Sequence, residues 1–178
     1  MTSWLRRTTR ALVAPRHRLS CDRSLWISGQ AELRRRGAGL RESGAFLLGS
    51  RHGVRRRVER FVYYDDLDPH ALDSGIVDLD GAAFGALWSL CRSTGLSVVA
   101  DVHTHPDRAF FSGTDRANPM IAEPGHLALV LPTYAQAPFS RRAMTGWALF
   151  EYLGTGDRGH HAWADLPRLR QQLYIGSL

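Results

Sequence analysis

His103 and His105 flank a single threonine in the stretch Val102-His103-Thr104-His105-Pro106, and Ser112 and Asp115 follow within ten residues. On extended backbone, side chains two positions apart share a face, so both imidazoles can address one ion at a strand end. Zinc takes nitrogen or oxygen donors at about 2 Å in roughly tetrahedral array, with one position open when the site is catalytic. Asp115 is a chemically suitable third ligand if the intervening loop turns it back, and water would fill the fourth position. A purely local reading competes with this one. Ser112 and Asp115 are spaced as a capping box at a helix start, and His103 can be an ordinary polar residue closing a strand. Asp101, two positions before His103, shares its facing if extended and is a candidate to orient that ring; the alternative is a polar residue at a strand end. His126 is a weaker candidate for metal ligation, and the pair His160-His161 reads as surface.

The elements that must position these residues are partly legible. A glycine-broken helical pattern runs from Gln30 to Arg41, with Ala31, Leu33 and Leu40 as its apolar members. Ala45 to Gly49 reads as a core strand, and after a turn at Gly53 the segment Arg57 to Tyr64 reads as its partner, its charged start at the sheet rim. Residues 65–78 read as a loop with a short strand around Ile76 and Val77. Phe84, Leu87, Trp88 and Cys91 fall at i, i+3, i+4 and i+7, the stripe of a buried helix face. Asp78 or Asp80 can cap that helix and Gly95 can end it. Packing is then the role of both Trp88 and Cys91. Leu96 to Val102 is a central strand that delivers the histidines. Leu127 to Leu131 is another, stopped by Pro132, and Trp147 to Leu153 a further one. Residues 158–178 end in a helix after Pro167. This order of elements implies an α+β fold, a mixed sheet with helices packed on it.

Bulk properties exclude several classes. The 178 residues suit one domain and are too few for an eight-fold α/β barrel, which sets aside a metal-dependent amidohydrolase barrel. Two cysteines make neither a disulfide framework nor a thiolate metal cluster, and fit a reducing compartment. No run approaches 18 apolar residues, and the basic N-terminus lacks the apolar core of a secretory signal, so a cytoplasmic protein without a membrane span is expected. The net charge of +6 rests on arginine alone, since the chain contains no lysine. Basic surface favours acidic partners without choosing among them. No aromatic-and-basic groove accompanies the cluster RHGVRRRVERF, so nucleic acid is not the expected partner.

Taken together, HTHP, five residues, then S-G-T-D resembles the H-[S/T]-H-P…S-x-x-D signature of the JAB/MPN family, the JAMM metalloproteases. That family also carries a glutamate just before a short glycine-bounded strand, and Glu42-Ser43-Gly44-Ala45-Phe46-Leu47-Leu48-Gly49 matches it. One departure is visible: Pro106 and Ser112 enclose five residues where the family usually has six. The resemblance implies the MPN fold, related to cytidine deaminases, over residues 27–153. Residues 1–26 would form a basic extension or first strand, and 154–178 a tail and helix packed on the domain. It further implies one catalytic Zn2+ held by His103, His105 and Asp115, with Glu42 as general base and Ser112 steadying the oxyanion. The expected reaction is cleavage after the C-terminal glycine of a ubiquitin-like protein, in deconjugation or precursor processing. Activating and conjugating enzymes of the same system, including antiphage systems of bacteria, would be further partners. The alternatives are a non-catalytic scaffold on the same fold and a processing peptidase for a sulfur-carrier protein.

Overall fold

A computed structural model describes residues 17–75, 77–156 and 159–177. Among the described residues, eight strands form one mixed sheet in the order β7-β6-β5-β4-β2-β3-β1-β8. They are β1 (Leu19–Asp22), β2 (Gly44–His52), β3 (Arg55–Tyr63), β4 (Ser97–Thr104), β5 (Leu127–Leu131), β6 (Ala148–Thr155), β7 (His161–Asp165) and β8 (Leu173–Gly176). The helices are α1 (Arg23–Gly37), α2 (Tyr64–Leu67), α3 (Gly81–Thr94), α4 (Gly113–Ala117) and α5 (Leu169–Gln172). The α+β class and the mixed sheet are as the sequence implies.

The two faces of the sheet carry separate cores, because alternate residues of each strand point opposite ways. Ala45, Leu47 and Phe61 pack with Trp26 and Leu33 of α1 on one face. Phe46, Leu48 and Val62 pack with Leu87 of α3 on the other. Helix α1 lies very close to the sheet. A side chain at Gly29 would place its Cβ 2.5 Å from the Phe61 ring, so the glycine is a contact surface and not a break.

Four elements depart from the sequence reading. Helix α1 starts and ends several residues earlier than expected, capped by Asp22 and closed at Ala38, whose φ is 51°. Its buried face is Trp26, Gly29, Gln30 and Leu33, too small and polar to show as an apolar stripe. Helix α3 is capped by Asp80 and ended by Gly95, as expected, but Trp88 is 41% exposed; Ala83 and Leu87 are its buried residues. The segment after Pro167 forms only the single turn α5 before becoming β8 beside β1. Of the strand expected around residues 76 and 77, Ile76 lies outside the described residues and Val77 is not in a strand. Among the described residues, no helix is long and apolar enough to cross a membrane.

Candidate metal centre

Strand β4 sits between β2 and β5, and its C-terminal end carries the histidines to the rim of the sheet. Their backbones are fixed on both sides. The Thr104 N–H donates to Ser43 O at 2.9 Å, and the His105 N–H donates to Leu131 O at 2.9 Å. Gly44 stands opposite His103 in the antiparallel register, which places Glu42 just beyond the end of that ladder. Glycine is required there. A Cβ at position 44 would fall 2.2 Å from the Tyr64 ring and 2.9 Å from Val102 O. Ser43, fully buried, locks the turn: its N–H donates to Thr104 Oγ1 at 3.0 Å and its hydroxyl to Leu33 O of α1 at 2.8 Å. The Glu42 N–H donates to Gly75 O at 3.1 Å. Glu42 is thereby aimed at His105, with Oε1 3.8 Å from Nε2.

The five-residue loop turns Asp115 back onto the pair. Phe111 anchors it from below, stacked on Phe150 and edge-on to Trp163, each with centroids 4.5 Å apart. Phe110 stays 44% exposed and packs edge-on against His105 at 4.7 Å. Helix α4 then begins with a complete capping box. The Asp115 N–H donates to Ser112 Oγ at 3.1 Å, and the Ser112 N–H donates to Asp115 Oδ2 at 2.7 Å. The local and the chemical readings of Ser112 and Asp115 are therefore compatible, because the cap is what points the carboxylate at the imidazoles.

Donor spacing tests whether a metal ion fits. Bonds of about 2.0–2.2 Å in tetrahedral array separate donor atoms by about 3.3–3.6 Å. His103 Nε2 and His105 Nε2 are 3.1 Å apart, His105 Nε2 and Asp115 Oδ2 3.4 Å, and His103 Nε2 and Asp115 Oδ1 3.7 Å. The three residues thus form a site for a divalent metal ion, and their ligating atoms all lie within 4.8 Å of one another.

The electrostatics fit the same picture. Burial opposes ionisation of Asp115, but His103 and His105 outweigh it and hold the carboxyl well below its usual range. Burial would also lower His103, yet Asp101 and Asp115 lift it to about 9 in the metal-free protein. Glu42 moves the other way: burial raises its pKa, against the pull of the two histidines. Asp101 is buried within the sheet, not a residue at its end. One oxygen lies 3.9 Å from His103 Nδ1 and the other 2.6 Å from His126 Nε2. His126 therefore faces Asp101 and is not among the clustered ligands. The pKa of the buried Tyr64 hydroxyl is raised first by burial and then by Asp101. His161, on β7, pairs with the Tyr152 hydroxyl at 2.8 Å, away from the cluster.

The family model for prokaryotic homologs of the JAB domain matches residues 29–145, about two thirds of the chain. The chain belongs to the prokaryotic JAB family. As a JAB domain it has the JAMM residue set in one place: two histidines and an aspartate for the metal, with the glutamate beside them. A probable metalloprotease, y4jG, of Sinorhizobium fredii (strain NBRC 101917 / NGR234) is 44% identical over 45 residues. That match spans 25% of this chain and 28% of that protein, so the chain covers little more than a quarter of the relative's length. The solution structure of protein DSY2949 from Desulfitobacterium hafniense is similar in fold, with a TM-score of 0.60 at 18% identity over 90% of this chain and 94% of that one.

Proposed function

We propose that this JAB domain is a zinc-dependent metallopeptidase that hydrolyses the amide bond after the C-terminal glycine of a ubiquitin-like protein, freeing it from a conjugate or a precursor. The observation that carries the reading is the convergence of His103, His105 and Asp115 at metal-ligand spacing, with Glu42 3.8 Å from His105. Two imidazole nitrogens and a carboxylate oxygen are a donor set suited to zinc. When bound, the ion supplies a Lewis acid that polarises the scissile carbonyl and acidifies water. Glu42 accepts the water proton on its carboxylate and returns it to the departing amine nitrogen. The upward shift that burial gives Glu42 suits a group that must both take and release a proton. Ser112 Oγ already accepts the Asp115 N–H, which leaves its own O–H free to donate to the developing oxyanion.

The cavity over the cluster has a volume of about 280 Å³ and is lined by Val77, Met120, Phe110 and Trp163 besides the polar residues. It lies at the small end of ligand pockets, which run from about 300 to 1,000 Å³. A narrow apolar approach favours an extended chain end without bulky side chains, as a C-terminal glycine provides. Activating and conjugating enzymes of a bacterial ubiquitin-like or antiphage system are the partners this reaction calls for.

The test is a panel of ubiquitin-like proteins, each fused through its C-terminal glycine to a reporter and incubated with the zinc-loaded protein. Release at that bond is expected, falling by about 10²–10⁴-fold in Glu42→Gln with zinc retained. Equal release by wild type and variant, or no release from any fusion, would show the reading to be wrong.

A further inference from the structure

Behind the metal ligands lies a second polar group that the reaction does not use. Asp101 and His126 are 2% and 1% exposed, and two buried ring nitrogens, His105 Nδ1 and His126 Nδ1, have no hydrogen-bond partner among the described residues. We propose that His126 and Asp101 form a positioning relay, in which His126 holds Asp101 and Asp101 fixes the His103 ring with Nε2 toward the ion. This rests on the metal-binding part of the reading above and not on the peptidase part.

The strands make the arrangement. Asp101 and His103 share one face of β4 by alternation, and His126 precedes β5, which pairs parallel to β4 with Asp101 opposite Ala128. His126 is pinned by its backbone: its N–H donates to Glu123 O and its carbonyl accepts the Tyr152 N–H, both at 2.9 Å. A carboxylate buried this deeply must be paired. A proton on His126 Nε2 satisfies Asp101 Oδ1 at 2.6 Å and leaves Oδ2 facing His103 Nδ1 at 3.9 Å. Ligating histidines commonly donate their second N–H to a carboxylate, which sets the tautomer and the ring orientation. Shortening the 3.9 Å gap to a hydrogen bond is the change the relay requires on metal loading. Contact with substrate is excluded for His126, whose side chain is 0% exposed, so both are positioning residues.

The experiment measures zinc dissociation constants by chelator competition for wild type, Asp101→Asn, His126→Leu, His126→Gln and the double variant Asp101→Asn/His126→Leu. Asp101→Asn and His126→Leu are each expected to weaken zinc binding by about 10-fold or more. The double variant should be no weaker than Asp101→Asn alone, and His126→Gln, which keeps a donor, should recover part of the loss. Gln30→Leu, which removes the hydrogen bond of another buried polar side chain to Ala137 O, should leave zinc affinity unchanged. Unchanged affinity in His126→Leu, or losses that multiply in the double variant, would overturn the relay. Should that variant fail to fold, nitrogen NMR of the zinc-loaded wild type decides: His103 protonated at Nδ1 and His126 at Nε2 support it, and His126 protonated at Nδ1 overturns it. Zinc shifts without cleavage of any fusion would sink the peptidase reading and leave the relay standing; cleavage with zinc affinity untouched does the reverse.

Discussion

The arginine cluster around Arg56 and the histidine cluster around His103 both place charge inside the fold, but only the first closes on itself. Arg56 is 8% exposed and donates to the Val99 and Gly125 carbonyls, while Arg18 forks onto both oxygens of Glu151 close by. Burial lowers the Arg56 pKa to about 10, and the nearby Glu151 works against that shift. Both terminal nitrogens of each guanidinium point at a protein acceptor. At the histidine cluster, two Nε2 atoms and a carboxylate point at one another, and His105 Nδ1 has no hydrogen-bond partner among the described residues. A satisfied network holds structure together; convergent lone pairs await a cation. Within RHGVRRRVERF, Arg56 is therefore a buried strut and not a solvated charge.

The contrast can be broken or sharpened by substitution. Beside Glu42→Gln, the largest effect should come from Ser112→Ala, which removes the oxyanion donor and lowers kcat by about 10²–10³-fold. The same change removes an N-cap and costs about 1 kcal/mol of stability, measurable by urea titration. Arg56→Met should do the opposite. Leaving the Val99 and Gly125 carbonyls without their donor costs about 1–3 kcal/mol, while zinc affinity and kcat stay as in wild type. Next is acid sensitivity. The Arg18 guanidinium holds Glu151 below its ordinary 4.5, so the stability this pair contributes is fully present above that pH. It is lost as pH falls through the lowered value, and Glu151→Gln should flatten that acid limb in a melting series. The smallest effect belongs to Trp88→Ala, within about 0.5 kcal/mol, since the residue is an exposed one outside the buried face of α3.

Much of the site was legible because its chemistry is local. H-x-H on a strand and S-x-x-D at a helix start declare their geometry within a few residues, and Glu42 is tied to them by one antiparallel pairing. The central strands β2, β4 and β5 were legible for a similar reason, as continuous apolar runs. What stayed hidden depends on pairing across distance. The hydrogen bond from His126 to Asp101 spans 25 positions and two strands, and nothing local marks it. The support Phe111 takes from Phe150 and Trp163 needs β6 and β7 in place. Trp88 misled because it lies at the edge of the stripe, and helix α3 is rotated so that Ala83 and Leu87 are its buried residues. Strand β8 could not be read at all without β1 to pair with it.

The central claim is that His103, His105 and Asp115 hold one metal ion. Metal analysis of the purified protein, with His103→Ala and Asp115→Ala beside Glu42→Gln, tests it most directly. One zinc per chain is expected in wild type and Glu42→Gln, with zinc lost from His103→Ala and Asp115→Ala. Zinc absent from folded wild type in zinc-supplemented buffer, or retained in full by the ligand variants, would contradict it.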